Sequence, residues 1–447
     1  MQQAEALTGQ EMHNLARELF PICRSLTGDG VRKTLRVLQQ HLPELTIYEV
    51  PSGTRAFDWT VPPEWNIRDA YLLGPNGRKV VDFQRSNVHI LGYSEPVDKE
   101  MPLSALQPHL YSLPEQPEAI PYVTSYYERR WGFCLSHRER ELLEDGIYRA
   151  VIDSTLAPGS LTYADLIIPG ETTNEVFLST YVCHPSLGNN ELSGPVVATF
   201  LAKWVRAMPR RRLSYRFAFV PETIGSIVYL SRNLDFMKSH VVAGFNVTCV
   251  GDDRTYSYLP SRRGDSWSDR VARHVLKRVS PSFKHYTFLD RGSDERQYCA
   301  PGVDLPVASV MRSKYGTYPE YHTSLDDLSL ITPTGLFGGY SAIRRCLEIM
   351  EIDRLYKVKV LCEPQMGKRG LYSTLGTAQV SEAVQTRMNI LAYCDGRNSV
   401  LDIAEILGQP AWILAPFFAE LVEHDLIQLT DYHKDPDWRT DGQYWRK

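Results

Sequence analysis

At 447 residues the chain exceeds one small domain, so two or three domains are expected. Its 43% hydrophobic and 23% charged residues are ordinary for a globular protein and exclude a disordered chain or a coiled coil. A net charge of -4 supplies no global field toward nucleic acid or an anionic membrane, so neither is expected as a partner. Nowhere does an apolar run reach the roughly 18 residues of a spanning helix, and Met1 to Phe20 lacks a secretory apolar core. A cytoplasmic protein is the expectation. The eight cysteines (Cys23, Cys134, Cys183, Cys249, Cys299, Cys346, Cys362, Cys394) form no C-x-x-C pair, which argues for buried thiols over a zinc ribbon or a disulfide framework.

Along the chain the texture changes three times. From Gly9 to Leu42 the spacing is helical, with Leu15, Leu19 and Ile22 followed by Val31, Leu35 and Leu38. Between about Pro51 and Pro169 come short strand-like pieces separated by turns such as Leu73-Gly74-Pro75-Asn76-Gly77, the pattern of a small β-rich module. From Asn174 strand and helix alternate. Val176–Cys183, Leu213–Val220, Val241–Val250 and Leu305–Met311 read as strands, and Ile224–Leu234 and Ser266–Val279 as helices. Another helix begins at Ser193-Gly194-Pro195, with Ser as its cap and Pro in its first turn. Continuous hydrophobicity in the strands predicts a sheet covered on both faces, hence an α/β fold.

The last part carries three short helical stretches, Val380–Tyr393, Val400–Leu407 and Ala411–His424, and a strand at Leu426–Leu429. This is the outline of a winged helix. From Asn398 to His433 there is no Lys or Arg, and the third helix carries Glu420 and Glu423, so a grip on DNA phosphates is not expected.

Reactive groups in such sheets collect beyond the carboxyl ends of the strands. Four segments meet that condition: Cys183-His184-Pro185 continuing through Asn189-Asn190-Glu191-Leu192-Ser193-Gly194, then Pro221-Glu222-Thr223-Ile224-Gly225-Ser226, Gly251-Asp252-Asp253 and Tyr321-His322-Thr323-Ser324-Leu325-Asp326-Asp327. Singly, each has a plainer use: a hydrogen-bonded core histidine, a carboxylate at a helix N-terminus, a turn aspartate, a loop histidine.

Together, in this order, they resemble the zinc aminopeptidases with two co-catalytic metals. The resemblance is sharper to a subgroup of aminopeptidase-like proteins associated with polysaccharide biosynthesis, through Phe57-Asp58-Trp59-Thr60-Val61-Pro62, Ser125-Tyr126-Tyr127-Glu128, Cys183-His184-Pro185-Ser186, Pro221-Glu222-Thr223-Ile224-Gly225-Ser226 and Tyr321-His322-Thr323-Ser324. It implies a doubly wound mixed α/β sheet of the zinc aminopeptidase type (1-50 and 165-352), an inserted β-rich domain (51-164) and a C-terminal winged-helix domain (353-447). Carried over by position, His184, Asp252 and His322 are metal ligands, with Asp253 the alternative to Asp252, and Glu222 is the general base.

Two positions depart from that pattern. Asn190 stands where the family has a metal-bridging Asp, and Thr223 where it has the second Glu of a pair. The neighbouring Glu191 is therefore expected to reach the ion, and one zinc is expected over two, held by His184, Glu191, Asp252 and His322. With Thr223 in place of an acid, attraction for a substrate's free ammonium weakens. The substrate expected is a small peptide or an amide-bearing small molecule, with Arg262 and Arg263 available for a carboxylate and Tyr321 for a developing oxyanion. Asp294 and Glu295 are expected behind the site. The expected function is zinc-dependent hydrolysis of an amide or peptide bond. The alternatives are a non-catalytic binding or assembly protein with a degenerate metal site, or a winged-helix regulator; a homo-oligomer is left open.

Overall fold

The computed structural model describes residues 2–371 and 382–430. They fall into two compact units, Met1–Asp269 with Ser282–Ala342, and Arg270–Pro281 with Ile343–Lys447.

Among the described residues the first unit is built on an eight-stranded mixed sheet. In chain order its strands are β1 (Thr46–Pro51), β2 (Ser160–Ile168), β3 (Glu175–Tyr181), β4 (Ser214–Val220), β5 (Val241–Asn246), β6 (Ser257–Leu259), β7 (Lys284–His285) and β8 (Val307–Met311), and across the sheet they run β1-β2-β4-β3-β5-β8-β6-β7. The central strands β4, β3, β5 and β8 are mutually parallel. Strand β2 is antiparallel to β4, and β6 to β8. Every residue of β3, β4 and β8 is buried, as the continuous hydrophobic runs require. Because those strands are parallel, the segments that leave β3, β4, β5 and β8 emerge at one edge, which is the geometric basis of the site.

The helical start of the chain is two helices, Gln2–Leu19 and Asp29–His41. The helix predicted at Ser193 spans Ser193–Ala207, but Ser193 does not cap it. A π-helical turn, Gly188–Leu192, already precedes it, and the Ser193 hydroxyl instead donates to the Asn189 carbonyl at 2.6 Å and accepts from the Val250 amide at 3.0 Å.

The β-rich stretch forms a four-stranded antiparallel sheet in the order Lys79–Asp82, Glu64–Leu73, Ile147–Ala157, Val97–Pro102. Its Trp65, Leu72 and Tyr148 belong to the same buried apolar cluster as Phe177, Tyr181 and Val220 of the large sheet. The expected boundary at 164/165 falls inside β2, a single strand paired with both β1 and β4.

In the second unit Asp395–Ser399, Leu355–Val358 and Ile427–Leu429 make a three-stranded antiparallel sheet. It accompanies helices Glu382–Tyr393, Val400–Ile406 and Ala411–Glu423. The first residues of the predicted Val380–Tyr393 helix lie outside the described residues. Glu420 on the third helix is held by Arg387, whose guanidinium donates to it at 2.8 and 2.9 Å. Among the described residues no single helix is long and apolar enough to cross a membrane.

Candidate active site

His184 lies three residues beyond β3 and is 3% exposed. Its Nδ1 and its backbone N–H both donate to Glu191 Oε2, each at 3.0 Å, which leaves Nε2 as the nitrogen available to a ligand. That nitrogen stands 3.7 Å from Glu222 Oε2. Burial opposes charge on the ring, but the Glu191 hydrogen bond and charge outweigh it and raise the His184 pKa above the ordinary value.

Glu222 follows β4. Ser293 Oγ donates to its Oε1 at 2.8 Å, and its backbone N–H donates to Cys183 Sγ at 3.2 Å. Burial raises its proton affinity, against the opposing charge of His184. The next residue, Thr223, adopts φ 65°, unusual for a β-branched side chain. Its N–H donates to Asp294 Oδ1 at 2.7 Å, and its hydroxyl accepts from Arg296 at 2.6 Å. Burial, reinforced by the charge of Glu222, pushes Asp294 up to about 8, and its Oδ2 is buried without a hydrogen-bond partner. Glu295, fully buried beside it, is used structurally, accepting from the N–H groups of Gly292 and Ser293, from Tyr315 and from Asn246.

His322, in the loop after β8, also has positive φ (56°). Strained residues such as these two, in the segments beyond β4 and β8, cluster at functional sites. Its ring lies 5.6 Å, centroid to centroid, from that of His184. Tyr321 stacks flat on it at 3.9 Å, and Tyr122, from the β-rich segment, meets both histidine rings edge-on at 5.1 and 5.3 Å. Burial and the nearby His184 hold His322 down to about 3, so the ring is neutral, and its Nε2 is buried with no hydrogen-bond partner.

Asn190 has a similar orphan. Its Nδ2 donates to the Tyr181 hydroxyl at 2.6 Å, while its Oδ1 is buried and unpartnered. Tyr181 in turn lies 5.2 Å from the His184 ring.

The other expected residues stand differently. Glu191 lies behind His184, not beside Nε2: its Oε1 is 3.0 Å from Arg24 Nε, and neither side chain is exposed. Arg24 also donates to the carbonyls of His184, Leu19 and Pro185. Asp252 receives four donors, from Asn189 and from Ser313 N–H on Oδ2 and from Arg254 N–H and Ser313 Oγ on Oδ1, at 2.8–3.0 Å. Four donors fill the four lone-pair sites of a carboxylate. Arg262 pairs with Asp304, and the charge of Arg263 acts on the same carboxylate, so the pair serves that loop.

Two contributors, Arg24 and Tyr122, were not read from the sequence, and a third, Asp326, was given no role. Arg24 sits in Pro21-Ile22-Cys23-Arg24, where one cation within an otherwise uncharged stretch was a usable signal. Tyr122 gave none. Asp326 lies in the segment after His322, and its carboxylate accepts the N–H groups of Asn189 (2.5 Å) and Asn190 (3.0 Å) and the Tyr318 hydroxyl (3.0 Å), fixing the π-helical turn. Gly188 must be glycine there, since a Cβ would lie 2.4 Å from the Asp327 carbonyl oxygen.

Residues 13–353 match a family described as a domain of unknown function, DUF4910, and residues 354–429 match a winged helix-turn-helix family. A Clostridium acetobutylicum protein is 46% identical over 399 residues, 89% of this chain and 91% of its own length; its name assigns it, provisionally, to polysaccharide biosynthesis with an aminopeptidase-like domain. The chain belongs to this aminopeptidase-like family. A crystal structure from the same organism, described provisionally as a peptidase, superposes with a TM-score of 0.90 at 43% identity, covering 96% of this chain and 98% of that one. A zinc aminopeptidase from Bacillus subtilis superposes at 0.55 with 12% identity, covering 76% and 94%, and shows the common fold. The aminopeptidase-like protein thus has the zinc aminopeptidase fold with a C-terminal winged helix.

The donor set fits zinc. Cys183, His184 and Glu191 bring three ligand-type atoms within 4.8 Å, the one such His/Cys/Asp/Glu cluster among the described residues. Burial holds the Cys183 thiol well above its ordinary pKa, and Arg24 already pairs with Glu191, so two of those three donors are poorly disposed toward a cation. Glu191 Oε1 also has no hydrogen-bond partner but lies 3.0 Å from Arg24 Nε, which leaves His184 Nε2 and the buried orphans His322 Nε2 and Asn190 Oδ1, two nitrogens and an oxygen of the kind a catalytic zinc takes.

Proposed function

We propose that the protein is a single-zinc hydrolase of amide bonds. His184, His322 and Asn190 would hold the ion, and Glu222 moves the proton. The observation that carries this reading is the pair of buried, unpartnered atoms, His322 Nε2 and Asn190 Oδ1, in the shell of aromatic residues around His184. When bound by neutral ligands, zinc lowers the pKa of water toward 7 and polarises a carbonyl.

The protein's own residues supply the rest. Arg24 and Glu191 fix the His184 ring through Nδ1. Tyr321 and Tyr122 hold the His322 ring between them. Ser293 holds Glu222 by Oε1, leaving Oε2 to accept a proton from water and return it to the leaving amine. Burial raises the proton affinity of Glu222, which suits both halves of that transfer. The relative's provisional link to polysaccharide biosynthesis makes the amide of an N-acylated sugar a substrate class to test beside small peptides.

Glu222→Gln separates proton transfer from metal binding. The variant is expected to lose at least about 100-fold in turnover of a responsive amide while keeping the wild-type zinc content. Undiminished turnover would remove Glu222 from the chemistry.

A further inference from the structure

We infer that Arg296 makes this site select an amide substrate carrying an anionic group, a carboxylate or phosphate close to the scissile bond, over one with a free ammonium. This deepens the reading above and rests on the same site.

The argument begins at Thr223. Replacing a carboxylate there by a hydroxyl removes a charge, and the structure shows what takes its place: the Arg296 guanidinium donates to Thr223 Oγ1 at 2.6 Å. Arg296 is exposed, whereas Glu222, Thr223 and Tyr321 around it are half-buried, so the cation stands at the opening. Its charge acts on both Glu222 and Tyr321, so it lies near the proton-carrying carboxylate and the ring that backs His322.

One guanidinium nitrogen is anchored on Thr223, and the remaining N–H groups have no protein acceptor among the described residues. Thr223 in turn is anchored by its N–H on Asp294, itself tied to Ser226, so the anchor is buried structure. A guanidinium fixed at one corner with donors to spare recognises carboxylate or phosphate oxygens.

Two of the neighbouring acids are engaged elsewhere. Asp294 holds its proton near neutral pH because of burial and the charge of Glu222, and Glu295 is fully buried and spent on four donors. Glu222 lies within reach of both the guanidinium charge and His184. A substrate ammonium would therefore meet Arg296, and a substrate anion would gain a charge-assisted hydrogen bond.

The test is equilibrium binding, which needs no turnover. N-succinyl-alanine anilide, its uncharged N-acetyl counterpart and alanine anilide with a free ammonium are titrated calorimetrically into wild type and Arg296→Gln at 50 mM and 500 mM salt. Wild type is expected to bind the succinyl compound about tenfold tighter than the acetyl one at low salt, and the ammonium compound weakest. In Arg296→Gln the preference should fall below about threefold, and in wild type it should shrink at high salt. Arg296→Lys should restore part of it. A wild-type protein that binds the succinyl compound no better than the acetyl one, or a preference that survives Arg296→Gln, overturns the inference. If the preference holds and no amide is hydrolysed, the hydrolase reading fails and the anion site stands.

Discussion

Glu191 was expected to touch zinc, but the structure makes it the partner of Arg24 and the support of His184, and that difference can be measured. Glu191→Gln keeps the shape and the acceptor for the His184 N–H while removing the charge opposite Arg24. Both side chains are fully buried. Removing one partner of such a pair leaves an uncompensated charge and costs about 3–5 kcal/mol, a large part of the roughly 5–15 kcal/mol that holds a domain folded. With a urea m-value of about 3 kcal/mol/M, the unfolding midpoint should drop by about 1–1.7 M with m unchanged. Adding Arg24→Met removes the stranded cation but orphans the carbonyls of His184, Leu19 and Pro185, so the double variant should recover only part of the loss. Zinc affinity should also fall, by about 10–100-fold, because a neutral acceptor at Nδ1 no longer raises the basicity of the ring. A midpoint shift under about 0.3 M, roughly 1 kcal/mol, would refute the buried-pair argument.

Asp252→Asn places an amide among four donors and should cost about 1–3 kcal/mol in urea unfolding while leaving zinc content unchanged; loss of zinc would return Asp252 to the ligand set. Asn190→Asp should tighten zinc binding by about tenfold or more in a competition titration, since a charged oxygen replaces a neutral one; unchanged affinity would take Asn190 out of the site. In the second unit His274 accepts the Ala411 N–H at 3.0 Å and bonds Glu405 through Nδ1. Burial, helped by the charge of Arg278, holds it down to about 4. Since the unfolded ring takes a proton near pH 6.5, the unfolded chain binds protons first as pH falls. Stability is then full above about pH 6.5 and is lost down to about pH 4, by about 3 kcal/mol in all, and His274→Gln should flatten that profile in unfolding titrations.

The strand ends were legible in the sequence because their physics is local. The buried runs in β3, β4 and β8 announce themselves as continuous hydrophobicity, and in a parallel sheet the residues after such runs must share an edge, which brought His184, Glu222 and His322 together. What was not legible was how each carboxylate is spent. Asp252 and Glu191 are of the right type and near the right place, but Ser313 and Arg24, 61 and 167 positions away, consume them. Arg262 is engaged in the same way by Asp304, which the charge of Arg263 also reaches, and Arg296 was overlooked because nothing near it in the chain points to Thr223. The module boundary at 164/165 was misplaced because turn density marks where strands are short, whereas β2 is set by its pairing with β1 and β4.

The central claim is that one cation rests on His184, His322 and Asn190. Its most direct measurement is anomalous scattering at the zinc edge from crystals of the full chain, purified without chelator and supplied with zinc, paired with metal analysis of the same preparation. One zinc per chain in contact with those three residues is the predicted result. Two ions per chain, an ion seated on Asp252 or Glu191, or none at all would contradict it.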